Sequence, residues 1–396
     1  MIKRSRRMPR DLTPNALAEA RGRLGTIPFD LTISNPTLCG FSYPPSALEV
    51  LGDPSSLVYQ PDPRGPRSAR HAVAGDYRRW ETEVDPDRVV LTASTSEAYS
   101  FLFRLLCDAG DAILVPSPSY PLFDHLARLD AVEAWTYDLE RDGGWRIDFS
   151  GLEKAPEKAR AVVVVHPNNP TGSYVHPDDA ARLVSLCRDR RWALIADEVF
   201  LPYRLDGGPG EDCSFVDIDD CLCFSLGGFS KGIGLPQLKL AWIVVGGPQA
   251  DVRIALEGLD FVADAYLSIS TPVASAAPRL LPRGEMIRAE ITSRCASNLE
   301  TLRRLAEDES SVTVLPVGGG WSATVRLPII GGEEGFFVRL LEEVGVAIHP
   351  GYFFGLPHRG YGVVSLLPDE AVFGTGAARM LEFIGRTIGD EPSGHR

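Results

Sequence analysis

The sequence predicts an α/β protein: a large domain with a mostly parallel central sheet flanked by helices, plus a smaller α+β domain. Three observations predict it. At 396 residues the chain exceeds one ordinary hydrophobic core. From about Val89, strand-length apolar runs alternate with helix-length amphipathic stretches, as in a parallel sheet covered on both faces. From about Arg288 a long helical stretch leads into a second, shorter set of strands.

In chain order, Val89–Thr92 reads as a strand and Ser94 to Cys107 as a helix. Ala112–Pro116 is the next strand, followed by a helix near Leu122–Ala127. Ala161–Val165 is a strand of branched residues, and Pro177–Arg190 a helix entered through proline. Ala193–Ala196, Leu222–Leu226 and Leu240–Val245 complete the larger sheet, and a helix follows Asp251. Val312–Leu315, Ser322–Arg326 and Val363–Leu367 are strands of the smaller layer, which has its own helices. Pro278, Pro282 and Gly284 read as a joint between the lobes.

Composition excludes several classes of function. A net charge of −13 argues against a nucleic-acid partner, because neutralising phosphates takes a basic surface. No apolar run approaches the roughly 18–20 residues of a membrane span. The seven cysteines are odd in number and scattered, and Cys221 and Cys223 lack zinc or redox spacing. The basic start lacks the apolar core of a secretory signal. The expectation is a cytoplasmic protein with free thiols and no metal site.

In open α/β sheets, ligands gather beyond the carboxyl ends of the strands, and the chemically distinctive residues fall there. After the first strand come Ser94, Thr95 and Ser96 at a helix start, a cradle for an anion of which helix capping would use one residue. Tyr120 follows the second strand and offers a ring for stacking, although a packed aromatic is the simpler reading. The rigid turn His166–Gly172 (HPNNPTG) holds Asn169 in one direction. Asp197 and Glu198 end an apolar strand and need a cationic partner there. Lys231, one of only five lysines, sits among glycines and Ser230 after Leu222–Leu226. Partial desolvation would keep its amine neutral, as imine formation requires. In this order an anion cradle, an aromatic ring, an amide, a carboxylate and an amine are the groups that hold pyridoxal 5′-phosphate.

With these motifs the chain resembles the class I/II aminotransferases, fold-type I pyridoxal-phosphate-dependent enzymes, from about Leu31 to Ile384. The resemblance implies that Asn169 binds the ring O3′, that Asp197 pairs with the ring nitrogen, and that Lys231 carries the cofactor as a Schiff base and shuttles the proton. It assigns Tyr120 to ring stacking, and Ser94, Thr95, Ser96, Ser230 and Lys239 to the cofactor site. Tyr59, in a YQPDPRG segment, matches the tyrosine that reaches the neighbouring subunit's phosphate, which implies a homodimer with shared active sites. The implied division is a large cofactor-binding domain over 47–285 and a discontinuous small domain of 1–46 and 286–396.

Four positions depart from the family pattern. Lys239 stands where an arginine is usual, Gly228 replaces a phosphate-binding serine, and Phe200 replaces a tyrosine that donates to O3′; Tyr203 is a weak substitute. The largest departure is Val363, two residues before Ser365, where the family has the arginine that grips the substrate carboxylate. Another arginine must do this, or the substrate is not an ordinary α-amino acid. Arg326 and Arg359 are the nearest and read as surface residues. The expected activity is transfer of an amino group between an amino acid or related amine and a keto or aldehyde acceptor. The alternative is another chemistry on the same scaffold, namely β-elimination, decarboxylation or oxidative deamination. A regulator domain that keeps the fold lacks support, because no DNA-binding segment precedes it.

Overall fold

The computed structural model describes residues 3–140, 144–206, 213–309, 311–329, 332–356 and 360–389. An eight-stranded sheet forms its centre. Its order is Val89–Thr92, Ala241–Gly246, Cys223–Gly228, Ala193–Asp197, Ala159–Val165, Ala112–Ser117, Glu133–Glu140 and Arg146–Ile147. The run from Cys223–Gly228 to Glu133–Glu140 is parallel, while Ala241–Gly246 lies antiparallel to both of its neighbours. Apart from Arg160, the middle strands are buried along their length, which explains why they read as apolar runs.

Helices Thr95–Leu106 and Gln249–Asp264 bury Phe101, Leu102 and Leu259 in one apolar cluster with strand residues Val163 and Ile195. Helix Pro177–Arg190 puts Leu183 and Cys187 in a second cluster with Val162, Val164 and Leu194. Alternate residues of one strand thus face opposite layers. That alternation makes the three-layer arrangement.

A four-stranded antiparallel sheet has the order Thr313–Val314, Ser322–Arg326, Tyr361–Ser365, His349–Pro350. Phe29–Asp30 pairs in parallel with Val346–Ala347 and ties the N-terminal stretch to the C-terminal one. Leu17, Leu31 and Phe41 accordingly share a core with Phe336, Leu340 and Met380.

Pro278, Pro282 and Gly284 fall where the chain passes from the apolar cluster of Ala277 and Leu281 to that of Ile287 and Ile291, but they do not break it. They lie inside one helix, Thr271–Glu307, of 37 residues. Both prolines are exposed and four positions apart, so they occupy the outer face where a lost carbonyl partner is replaced by water. The inner face runs through Ala277, Leu281, Gly284, Ile287, Ile291 and Cys295 without a break. Its burial carries the helix past both prolines.

Candidate functional site

Beyond the carboxyl ends of the parallel strands lies a cavity of about 460 Å³. Ser94, Thr95, Ser96, Tyr120, Asn169, Asp197, Ser230, Lys231 and Lys239 all line it. Tyr59 does not; it is 65% exposed on the surface of the single chain.

Local structure decides which of several similar residues reaches the cavity. Ser94 caps the helix, accepting from the Glu97 N–H at 3.1 Å, while the Glu97 carboxylate accepts from the Ala93 N–H at 2.6 Å. One hydroxyl is therefore spent on capping, and Thr95 and Ser96 begin the helix with first-turn N–H groups that have no intrahelical partner. In the turn after Ala159–Val165, Asn168 is buried. Its amide donates to the Pro118 carbonyl at 3.0 Å and to Thr171 at 2.9 Å, and accepts from Ser119 at 2.8 Å. Asn168 locks the loops together and Asn169 lines the cavity.

The two acids after Ala193 divide in the same way. Asp197 pairs in register with Val165 and Leu226 on the flanking strands. It accepts from the Tyr99 hydroxyl at 2.9 Å and from the Val199 N–H at 3.2 Å. Burial pushes its pKa up to about 6, although both hydrogen bonds and the nearby Lys231 ammonium favour the charged form. Glu198 turns away and holds the next loop, accepting from Ser214 at 2.7 Å and from the Phe215 N–H at 2.5 Å. Burial raises it further, to about 8.

Lys231 sits in the single helical turn Phe229–Gly232 that follows Cys223–Gly228. Its main chain is pinned on both sides. The Tyr203 hydroxyl donates to the Lys231 carbonyl, and Arg288 donates to the Gly232 carbonyl at 2.9 Å. Tyr203 is thus committed to the lysine's backbone and is not among the residues lining the cavity. The ammonium lies 4.5 Å from the Trp321 ring centre, 5.5 Å from that of Phe200 and 3.5 Å from the Ser34 carbonyl. Desolvation lowers its pKa to about 8 against the opposing pull of Asp197. Lys239 has left-handed backbone (φ 54°) and an exposed side chain that reaches the cavity rim.

The far wall comes from the smaller sheet and the segments next to its strands: Trp321, Ser322, His349, Phe353, Phe354, Val363 and Ser365. Val363 is 1% exposed and pairs with Thr324 and His349. Arg326 is exposed and does not line the cavity; Arg359 lies outside the described residues. Sequence reasoning missed Tyr99, Trp321 and His349. Tyr99 had a signal: a polar tip one turn into an apolar helix face, directed at a strand end.

A buried carboxylate with no cation in direct contact, a depressed lysine and an anion-binding helix start fit a flat cationic heteroaromatic aldehyde with a phosphate arm. Comparison with known proteins points the same way. A family model described as Aminotransferase class I and II matches residues 33–372. The chain is 31% identical over 248 residues to an alanine aminotransferase of Mycobacterium tuberculosis, covering 61% of this chain and 57% of that one. It is 28% identical over 246 residues to a glutamate-pyruvate aminotransferase of Haemophilus influenzae, covering 61% of each. The match therefore spans less than two thirds of these relatives' length. Among solved structures, an alanine aminotransferase from Pyrococcus furiosus superposes with a TM-score of 0.85 at 22% identity, covering 97% of this chain and all of that one.

Proposed function

The chain belongs to the class I and II aminotransferases, and from that premise we propose that it transfers an amino group between an amine donor and a carbonyl acceptor, using pyridoxal 5′-phosphate. One observation carries the proposal. Asp197 and Lys231 follow adjacent parallel strands into one cavity, with the acid raised to about 6 and the amine lowered to about 8. Both shifts arise chiefly from burial.

In this reading Asp197, oriented by Tyr99, holds the ring nitrogen in its protonated form. Thr95, Ser96, Ser230 and Lys239 receive the phosphate, Asn169 the ring O3′, and Tyr120 one face of the ring. When bound, the cofactor supplies an electron sink for the pair left on the amine-bearing carbon. The Lys231 amine takes the proton from that carbon and returns it one position along. A positioned base of this kind is worth about 10²–10⁴-fold. Trp321 and Phe200 keep water from the amine, and Tyr203 and Arg288 fix the turn that aims it.

The proposal extends to assembly. Leu57, Val58 and Tyr59 are 88%, 59% and 65% exposed, an apolar stretch that supports a homodimer in which Tyr59 enters the neighbouring site. The shared core of N- and C-terminal residues supports a small domain of 1–46 and 286–396 beside a large domain of 47–285. The seven unpaired cysteines support a cytoplasmic setting. Among the described residues, no helix is long and apolar enough to cross a membrane. The test is reduction of the purified protein with borohydride followed by peptide mapping. The label is expected on Lys231 and absent from Lys231→Ala, and a label on Lys239 would overturn the assignment.

A further inference from the structure

The walls of the cavity are not uniformly polar. The groups that suit a phosphate and a pyridine ring come from the strand ends of the large sheet. The opposite wall is formed by Phe200, Trp321, His349, Phe353, Phe354 and Val363, and it is one continuous surface. The Phe200 and Trp321 rings pack edge to face with centres 5.3 Å apart. Ser322, next to Trp321, pairs with Ser365; Val363, on the same strand as Ser365, pairs with His349. The His349 ring lies 6.2 Å from that of Phe353 and 5.8 Å from that of Phe354.

Among the described residues lining the cavity, the cations are Lys239, at the cofactor end, and Lys231, whose nitrogen lies against Trp321 and Phe200 and is the amine that the reaction uses. His349 is the only ionisable side chain among the described residues of the opposite wall. Burial, with Arg21 close by, holds it below the ordinary histidine range, and Asp30 only partly opposes this. Arg21 itself is paired with Asp30 at 2.6 Å. The hydroxyls there are largely committed as donors: Ser365 to the Ile33 carbonyl and Thr32 to Asp30. A carboxylate brought to this wall would lose water and gain no counter-charge from the wall's described residues, which strongly disfavours binding. An aryl or alkyl group would gain area against four aromatic rings and a valine.

We infer that the substrate is a primary amine with an apolar, preferably aromatic, substituent and no carboxylate on the amine-bearing carbon. This rests on the transaminase reading above and narrows it. Both half-reactions use one cavity, so the acceptor is likewise an uncharged aldehyde or ketone. The balance is R–CH2–NH2 + R′–CO–R″ → R–CHO + R′–CH(NH2)–R″. The C–N bond of the donor is broken and that of the product formed. The donor carbon is oxidised by two electrons and the acceptor carbon reduced by two. No outside oxidant is needed.

Two matched pairs test it on the cofactor-loaded wild-type protein. 2-Phenylethanol and 3-phenyllactate differ only by a carboxylate and do not react, so calorimetry reads selectivity independently of turnover. 2-Phenylethylamine and phenylalanine differ in the same way and report the half-reaction by absorbance. Binding of the alcohol at least about tenfold tighter than the acid is expected, with a rate advantage of similar size for phenylethylamine. Val363→Arg is expected to bring phenyllactate to parity or beyond. Should that variant fail to fold, the wild-type pairs decide alone. Phenyllactate binding as tightly as the alcohol, with rapid conversion of phenylalanine, would overturn the inference and leave the transaminase reading standing. The expected binding order with no amine converted would sink the transaminase reading and keep the selectivity.

Discussion

The depressed basicity of Lys231 can be read directly. A lysine at the ordinary value of 10.5 is neutral in only about three molecules in ten thousand at pH 7, whereas one at about 8 is neutral in about one in ten. The amine available to attack an aldehyde is thus about 300-fold more abundant. The sign follows from the causes. Burial penalises the ammonium and lowers the pKa, while the Asp197 carboxylate attracts the ammonium and partly restores it. Removing that carboxylate as Asp197→Asn is therefore expected to move the midpoint below 8, not above it. The assay is competitive acetylation of the cofactor-free protein from pH 6 to 11, read by peptide mass spectrometry against exposed Lys154 as a rate standard. Reactivity at Lys231 should rise through a midpoint near 8. A midpoint at 10.5, or an upward move in Asp197→Asn, would refute the argument that desolvation tunes this amine.

Two further outcomes separate neighbouring or distant residues by role. Asp197→Ala is expected to lose cofactor retention and the half-reaction, whereas Glu198→Ala, which orphans the Phe215 N–H and the Ser214 hydroxyl, should chiefly cost about 1–3 kcal/mol of stability in a denaturant titration; matching effects in both assays would contradict the division of labour. Mixing Lys231→Ala subunits with an inactive Tyr59 variant should restore some activity, because one hybrid site keeps both native residues; verified heterodimers that stay inactive would exclude a shared site.

Much of the large sheet was legible because its parallel strands are buried on both faces and so appear as branched apolar runs bounded by turn residues. Val89–Thr92 and Pro177–Arg190 have the very limits the pattern suggested. Glu133–Glu140 was not legible, since it lies toward the sheet's outer side with most side chains exposed or half-exposed and has no apolar run to mark it. For a related reason the prolines of Thr271–Glu307 do not end the helix. Local propensity says break, but a tertiary face of small and apolar residues overrides it. Within the site, residues at strand ends could be found from order alone. Asn168 and Asn169, or Asp197 and Glu198, could be told apart only by which side chain the neighbouring loops had already engaged.

What the sequence could least convey is that one cavity has two sources. Its cofactor end is assembled from residues 94 to 239, each following a strand of one sheet, and that regularity makes the order of residues readable. Its opposite wall is assembled mainly from residues 321 to 365, which reach the cavity from a separate antiparallel sheet. No local pattern in that stretch speaks of binding. Only the family resemblance drew attention to Val363, and Val363 packs with Leu315, Leu356 and Tyr361. The separation has a physical consequence. Changing Val363 alters neither the Asp197–Tyr99 hydrogen bond nor the pinned turn around Lys231, because none of those contacts crosses to the second sheet. The wall that selects the substrate can therefore lose a cation while the bond-breaking machinery stays intact.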